Sequence, residues 1–273
     1  MLDINTIYNI PCEQGFEKID DKSIPLTITD PPFNIADSAK VTKQGNVIMS
    51  TQEAWGKEFK DAWDTWEEYE AWILKVTGEI LRVTQDGGSM VIFLGRKETG
   101  LFAHLFEKQG WTFKNKLYFV KNNPLPHVRK NNYRSCVEEA LWLSKGKPMQ
   151  FNFISQQEMK QVFTGNIGKK ATKHPTEKYG WMINPLIERH SNEGDLIFDP
   201  FMGSGSTAVY ALAQGRNFIG FEKNKVYFDM ASERIEKAMH VLEATIPNNL
   251  GLTPRKELNE FPKLYISDCA VIS

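Results

Sequence analysis

The stretch DLIFDPFMGSGSTAVYALAQGRNFIGFEKN (residues 195–224) decides the fold class of this chain. An apolar run ends at Asp199, a turn with Gly203 and Gly205 follows, and a helical segment leads into a second apolar run that ends at Glu222. This order of strand, glycine turn, helix and strand is typical of the nucleotide-binding half of an open α/β sheet. The glycine turn lets backbone amides approach a ligand, and an acid about 20 residues further on can accept hydrogen bonds from ribose hydroxyls. The stretch therefore predicts a site for a nucleoside-containing ligand.

Two other interpretations of this stretch stay open at this point. A dinucleotide-dependent dehydrogenase uses a similar turn, and glycines also occur where a helix packs closely on a strand. A P-loop ATPase is excluded, because no lysine follows the second glycine.

Short apolar runs alternate with amphipathic segments along the rest of the chain, which predicts a mostly parallel sheet with helices on both faces. The predicted strands are residues 25–29, 89–94, 114–120, 138–144, 195–199 and 217–222, and the clearest helices are residues 65–84 and 224–244. Trp63, Trp66 and Trp72 fall close to helical spacing, which favours core packing over a base-stacking surface.

Composition and cysteine content exclude several classes of protein. The 273 residues have a net charge of −1, and neither a signal-peptide pattern nor an apolar run of membrane-spanning length occurs. Cys12, Cys136 and Cys269 are widely spaced and form no Cys-x-x-Cys or Cys/His cluster, so the sequence predicts neither a disulfide framework nor a metal site. We therefore expect a cytoplasmic protein with no membrane partner.

Basic residues concentrate in the middle of the chain. Residues 114–178 contain 13 Lys/Arg against 4 Asp/Glu, whereas residues 1–80 contain 7 against 15. The stretch KNNPLPHVRKNNYR (121–134) places asparagines and an aromatic ring among the cations, and such groups hydrogen-bond to bases or stack on them. Charge alone leaves open whether this segment binds a polyanion or is a solvated loop. The candidate phosphate contacts are Arg129, Lys130, Arg134, Lys169 and Lys170.

A second decisive stretch, TDPPFNI (29–35), follows a predicted strand. Each proline fixes its own φ and restricts the preceding residue, so the loop is stiff around the Asp30 carboxylate. Asp30 and Asp199 both stand at the end of a predicted strand, and in a parallel sheet both would lie at the edge where ligands bind. The Asp30 carboxylate and the Pro31 carbonyl can accept hydrogen bonds from an amine, and Phe33 can stack on a base. Such a loop suits an enzyme that modifies an exocyclic amine and has no use in a dehydrogenase.

DPPF (30–33) and DPFMGSGST (199–207) together resemble the catalytic and cofactor motifs of the S-adenosylmethionine-dependent DNA amino-methyltransferases, which modify adenine N6 or cytosine N4. The catalytic motif comes first, as in the circularly permuted beta group of that family. KHPTEKYGWMINPLIERH (173–190) resembles the family's HPTQKP helix, which helps to bind the methionine end of the cofactor. The resemblance covers about residues 5–240 and implies a Rossmann-like class I methyltransferase fold.

The resemblance also implies roles for individual residues. Asp30, Pro31, Pro32 and Phe33 would form the catalytic loop, without a metal, and the target base would be flipped out of the duplex. The residues expected to bind S-adenosylmethionine are Asp30, His174, Pro175, Thr176, Asp199, Phe201, Gly203, Gly205, Ser206, Thr207, Glu222 and Lys223. The catalytic domain is expected over residues 1–244, with target-recognition segments at about 34–63 and 121–174, and a C-terminal extension over 245–273.

Two positions depart from the family's pattern. Pro11 stands where an aspartate commonly contacts the adenine of the cofactor, with Asn9 as a candidate substitute, and Tyr179 stands where proline is usual. The expected function is methylation of adenine N6 in DNA. The alternatives are methylation of cytosine N4, methylation of protein or RNA, and a non-catalytic DNA-binding subunit with the same fold. A homodimer and a cognate restriction endonuclease are the other partners left open.

Overall fold

The fold is described from a computed structural model of the chain. The residues that it describes are 2–34, 40–43, 46–50, 63–127 and 130–245. Arg129, Cys269, most of the predicted recognition segment at 34–63 and nearly all of the predicted C-terminal extension lie outside these ranges.

Eight strands form one sheet in the order β1-β10-β9-β2-β5-β7-β6-β8, and β3 and β4 form a separate hairpin. The strands are β1 (Thr6–Tyr8), β2 (Ile24–Thr29), β3 (Lys40–Lys43), β4 (Asn46–Ser50), β5 (Thr84–Leu94), β6 (Thr112–Lys121), β7 (Val137–Ser144), β8 (Val162–Gly165), β9 (Leu196–Asp199) and β10 (Asn217–Phe221). Strand β7 is antiparallel to both of its neighbours, and the other adjacent pairs in this described sheet are parallel. The prediction of a mostly parallel sheet is confirmed.

The helices of the described chain separate most of these strands. They are α1 (Cys12–Phe16), α2 (Trp66–Val83), α3 (Thr99–Gln109), α4 (Gly180–His190), α5 (Ser206–Ala213) and α6 (Lys225–Thr245). All six predicted strands and both predicted helices are present. Their ends differ by at most two residues, except that β5 begins five residues before the predicted strand. None of the described helices is long and apolar enough to cross a bilayer.

Strand β5 shows why the sheet is covered on both sides. Val91 and Phe93 pack into one hydrophobic cluster with α4 and α5, whereas Met90 and Ile92 pack into a second cluster with α2 and α3. Successive side chains of a strand point to opposite faces, so an uninterrupted apolar run is buried on both. The predicted layer order, with helices on both faces, is confirmed.

Helix α2 begins where its sequence provides a cap. The hydroxyl of Thr65 accepts a hydrogen bond from the Glu68 N–H at 3.2 Å, and acidic residues occupy the first turn. The tryptophans Trp63, Trp66 and Trp72 are partly buried against the second cluster, as predicted. Trp72 also reaches the cavity described below, which core packing alone did not predict.

Candidate active site

A cavity of about 700 Å³ opens at the carboxyl ends of β2 and β9, which are neighbouring parallel strands. Strand β2 lies between β9 on one side and β5 on the other. The strands that follow β2 in the chain, β5 to β8, lie on one side of it, and β9 and β10 lie on the other. Ligands of open α/β sheets bind at such a switch point. Asp30 and Asp199 both line the cavity, which confirms that the two strand-ending acids share one crevice.

The loop that carries Asp30 is anchored by α2 and the residues before it. The hydroxyl of Tyr69 donates a hydrogen bond to the Pro32 carbonyl at 3.0 Å, and the Trp63 N–H donates to Asn34 Oδ1 at 2.9 Å. Asn34 has a φ of +58°, a left-handed conformation that asparagine tolerates better than most residues. The two prolines and these two hydrogen bonds together hold the backbone of the loop, and they leave Phe33 partly buried at the cavity wall.

The two oxygens of the Asp30 carboxylate have different environments. Oδ2 lies 2.7 Å from Lys178 Nζ. Oδ1 is buried and has no hydrogen-bond partner among the described residues. A buried acceptor without a partner costs about 1–3 kcal/mol, and a hydrogen bond from a ligand donor is one way to satisfy it. Burial raises the pKa of Asp30 above its usual range, and Lys178 opposes that effect.

Lys178 is the buried centre of a charge network that the sequence analysis did not identify, and the other members, Asp30, Glu138 and Lys121, are partly buried. Its ammonium lies 2.7 Å from Asp30 Oδ2 and 3.0 Å from Glu138 Oε2, and Glu138 Oε1 lies 2.6 Å from Lys121 Nζ. Although burial acts in the opposite direction, Lys178 and Lys121 lower the pKa of Glu138 to about 2. Against the effect of its own burial, Asp30 and Glu138 raise the pKa of Lys178 above its usual range. Lys178 and Glu138 therefore both carry their charge at neutral pH.

The predicted cofactor turn has two glycines in the left-handed region. Gly203 has a φ of +53° and Gly205 a φ of +77°. A Cβ on Gly203 would lie 3.2 Å from His174 Nε2, and a Cβ on Gly205 would lie 3.3 Å from the Cβ of Ala231 in α6. The glycines thus make room for an imidazole and for a helix, which adds a structural reason to the ligand-based one given by the sequence.

Both carboxylate oxygens of Asp199 accept hydrogen bonds from the protein. The hydroxyl of Thr29 and the N–H of Phe201 donate to Oδ1, each at 3.0 Å, and the hydroxyl of Thr207 donates to Oδ2 at 2.7 Å. Burial raises the pKa of Asp199 to about 7 against these three hydrogen bonds. These contacts tie β2, β9 and α5 together, and a direct contact from Asp199 to the cofactor stays a prediction.

Glu222 lies across the glycine turn from these groups. Its carboxylate accepts hydrogen bonds from the Gly203 N–H at 2.9 Å and from the Asn224 N–H at 2.8 Å. Each carboxylate oxygen keeps a second lone pair for another donor. Phe201 and Lys223 line the same part of the cavity.

The family pattern places an aspartate at the position of Pro11, with Asn9 as a candidate substitute, and the structure shows a different arrangement there. The Asn9 amide donates to the backbone carbonyls of Glu222 and Lys223, at 2.8 Å and 3.3 Å, and Asn9 is not among the described residues that line the cavity. Glu13 does line it, and its carboxylate accepts a hydrogen bond from Trp72 Nε1 at 2.9 Å. An acid is therefore present at this wall, two residues beyond the position that the family pattern indicates.

The His174–Pro175–Thr176 segment also lines the cavity. The Thr176 N–H donates to His174 Nδ1 at 3.3 Å, so the neutral imidazole carries its proton on Nε2. Burial and the nearby cations lower the pKa of His174 to about 3. The ring is therefore neutral at physiological pH and presents a donor toward Gly203.

Two of the predicted phosphate contacts bind the protein's own backbone. The Lys170 ammonium donates to the carbonyls of Pro175 and His174, and the Arg134 guanidinium donates to those of Pro124 and Leu125. Lys130 and Lys169 have exposed side chains. Tyr133 and Leu125 are also exposed, at 95% and 76%.

Comparison with known proteins gives consistent results. Residues 24–233 match the N6/N4 family model described as a DNA methylase. The chain is 28% identical over 239 residues to the Type II methyltransferase M2.LlaDCHI of Lactococcus lactis subsp. cremoris, covering 81% of this chain and 85% of the relative. It is 27% identical over 232 residues to the Type II methyltransferase M2.DpnII of Streptococcus pneumoniae, covering 80% and 85%.

Two solved structures share the architecture. The M1.HpyAVI-SAM complex superimposes with a TM-score of 0.65 and 25% identity, over 84% of this chain and 98% of that chain. The PvuII DNA methyltransferase (cytosine-N4-specific) superimposes with a TM-score of 0.66, over 96% of this chain and 92% of that chain. At 16% identity, the second likeness concerns the fold alone.

Proposed function

Because this chain belongs to the N6/N4 family of DNA methylases, we propose that it transfers a methyl group from S-adenosylmethionine to the exocyclic amine of a DNA base, adenine N6. The observation that carries the proposal is the Asp30 carboxylate. One of its oxygens is held by Lys178, the other is a buried acceptor with no partner among the described residues, and the residue lines the cavity together with Phe33. An amine is the kind of donor that this oxygen lacks.

The residues of the cavity fit S-adenosylmethionine. Glu222 offers carboxylate lone pairs for ribose hydroxyls, and the apolar side chains of Phe201 and Trp72 offer surfaces for an adenine ring. His174 presents a neutral N–H donor, and the Asp199 carboxylate accepts a hydrogen bond from the Phe201 N–H at the start of the glycine turn. When bound, S-adenosylmethionine supplies a methyl carbon that the amine attacks as the carbon–sulfur bond breaks and its electron pair stays on sulfur.

The main task of Asp30 is to orient the amine. An N–H of the amine donates to Oδ1, which directs the nitrogen lone pair toward the methyl group, and the Pro31 carbonyl is a second acceptor in the same loop. Positive charge develops on the nitrogen during transfer, so the charged carboxylate stabilises the transition state more than the ground state. The methylated amine then releases a proton, which leaves through Asp30 to water. Phe33 stacks on the base.

The DNA-facing surface is best assigned to the loop between β6 and β7. Leu125 of this loop lines the cavity with an exposed side chain, and the exposed side chains of Lys130 and Tyr133 follow in the same loop. An exocyclic amine cannot reach such a crevice from within a duplex, so the base would be flipped out, and exposed side chains of this loop can occupy or flank the gap. The contacts of Lys170 and Arg134 with backbone carbonyls make these two weaker candidates for phosphate binding. A homodimer and a cognate endonuclease stay predictions.

The test is to identify the methylated base. Unmethylated DNA of mixed sequence is incubated with the protein and S-adenosylmethionine carrying a tritiated methyl group, then digested to nucleosides and separated against standards. Label in N6-methyldeoxyadenosine supports the proposal, and label in N4-methyldeoxycytidine replaces it with the cytosine alternative. Label that is absent from DNA while the protein still shifts DNA in a gel would establish a binding subunit. Asp30→Ala is the matched control for contaminating methyltransferases.

A further inference from the structure

The buried Lys178 ammonium is not accounted for by the reaction proposed above. It lines the cavity, and its side chain is only 10% exposed. It lies 2.7 Å from Asp30 Oδ2, 4.7 Å from the centroid of the Phe93 ring and 5.7 Å from that of the Phe33 ring. A lysine that is taken out of water pays a large desolvation cost unless it is paired, and here two carboxylates and two aromatic faces surround it.

The arrangement around Lys178 fixes the side chain of Asp30. Two prolines restrict the backbone of the Asp30 loop, but they do not restrict the rotation of its carboxylate. Lys178 donates to Oδ2, whereas Oδ1 has no hydrogen-bond partner among the described residues. Glu138 Oε2 lies 3.0 Å from Lys178 Nζ, and Lys121 Nζ lies 2.6 Å from Glu138 Oε1.

We propose that Lys178 is a positioning residue for methyl transfer: it holds Asp30 charged and in the rotamer that presents Oδ1 to the target amine, with Glu138 and Lys121 fixing the lysine in turn. The inference rests on the proposed function of Asp30 and adds the group that makes that function possible. Lys178 acts through Asp30, and its removal affects the chemical step more than cofactor binding.

The charges that face Asp30 come from several elements. Lys178 and Lys170 precede α4, Glu138 lies on β7, and Asp199 ends β9. Lys178 and Lys170 favour the charged carboxylate, whereas Glu138, Asp199 and burial oppose it. Lys178 is the one in direct contact, so its loss changes the balance most.

The decisive experiment measures Asp30 directly. Protein labelled with ¹³C at the aspartate carboxyl carbons is titrated by NMR, and the Asp30 signal is assigned by its loss in Asp30→Asn. In Lys178→Met, the apparent pKa of Asp30 should rise by about 1–3 pH units, the usual effect of a close opposite charge. Lys178→Arg should restore most of the parent value. An unchanged Asp30 titration in folded Lys178→Met would overturn the proposal.

Kinetics supply the second readout. At saturating S-adenosylmethionine and neutral pH, the single-turnover rate of Lys178→Met should fall roughly 10²-fold, the scale of a small misplacement of a reacting group. The rate should recover partly at higher pH, because Asp30 must be ionised and the activity is lost as pH falls through its pKa. Weakened cofactor binding with an intact saturating rate would instead make Lys178 a cofactor ligand and overturn the positioning role.

Matched variants keep the test interpretable. Lys116→Met removes another partly buried Lys–Glu pair of strands β6 and β7, with Lys116 Nζ 2.6 Å from Glu139, but neither residue lines the cavity. It should leave the Asp30 titration and the rate unchanged, and an equal effect of Lys116→Met would refute the inference. If Lys178→Met does not fold, Lys178→Gln decides: loss of the ammonium should raise the Asp30 pKa in the same way, and an unmoved titration contradicts the positioning role. A parent protein that methylates no DNA would reject the proposed function, while the NMR titration would still test the coupling.

Discussion

Replacement of Asp30 by asparagine tests the proposed chemistry with almost no change in shape. The Lys178 ammonium can only donate hydrogen bonds, so in the Asp30→Asn variant the oxygen of the new amide must face it. The amide NH₂ then takes the place of Oδ1, the oxygen that has no partner among the described residues. The amide NH₂ of the new asparagine then faces the amine of the base, which is itself a donor. No acceptor is left to orient the lone pair of the amine nitrogen.

The expected loss follows from these contacts. One hydrogen bond to a charged group contributes about 1.5–3 kcal/mol, and a buried donor left without a partner costs about 1–3 kcal/mol more. The sum of roughly 2.5–6 kcal/mol in the transition state corresponds to a rate that is about 10²–10⁴-fold lower, at about 1.36 kcal/mol per decade. The affinity for DNA should change little, because the interaction is strongest in the transition state.

The assay is a single-turnover quench of tritiated methyl transfer to unmethylated DNA, with cofactor affinity measured by calorimetry. Asp86→Asn is the control, since Asp86 pairs with Lys22 at the surface with a side chain that is 70% exposed. The control should match the parent in every measurement. A folded Asp30→Asn protein that binds the cofactor and methylates at the parent rate would refute the assignment of Asp30 as the acceptor.

Four further outcomes are expected. Phe33→Ala should weaken capture of the flipped base by about 1–3 kcal/mol, measured as a loss of DNA affinity. The loss should be smaller on DNA whose target base is mismatched, and Phe33→Tyr should bind DNA as the parent does. Gly205→Ala should lower the free energy of unfolding by at least about 1–2 kcal/mol in chemical denaturation, because its φ is +77° and α6 lies against it. Burial raises the pKa of Asp199 from 3.8 to about 7, so the folded state binds the proton more tightly than the unfolded state does. The parent should therefore lose up to about 4 kcal/mol of stability as the pH rises from about 4 to about 8. Asp199→Asn should show a flatter profile of stability against pH, and an equally steep profile would contradict the assignment. Lys130→Ala should reduce the slope of log DNA affinity against log salt by about 1, whereas Lys170→Ala should not, because its ammonium binds backbone carbonyls.

The parts of the fold that the sequence predicted are those with strong local patterns. The second half of strand β5, Met90–Leu94, is a continuous apolar run and α2 has both a cap and a buried stripe, so each could be recognised from its own residues. The first five residues of β5, Thr84–Gly88, lack such a pattern and were not predicted. Strands β1 and β8 have three and four residues, too few for a periodic signal, and the sequence did not predict them. Their position at the two edges of the sheet depends on the strands beside them, which no local pattern records.

The site was predictable where an acid ends a strand and unpredictable where distant segments meet. Asp30 and Asp199 were placed together because the ends of parallel strands share one edge. Lys178 and Glu138 meet only in the folded chain, and although Lys178 belongs to the stretch that resembles the family's HPTQKP motif, that resemblance does not indicate its contacts with Asp30 and Glu138. Composition likewise cannot distinguish Lys170, whose ammonium binds two carbonyls, from the exposed Lys130.

The stiff Asp-Pro-Pro-Phe loop and the charge network have separate tasks. The prolines and the hydrogen bond from Tyr69 place the backbone of the loop, but the direction of the Asp30 carboxylate depends on Lys178. A buried ion network of this kind contributes little net stability, because apolar residues of similar volume often serve as well. Its position at the cavity, with one carboxylate oxygen held and the other left for a ligand, is therefore better explained by orientation of a reacting amine than by the stability of the fold.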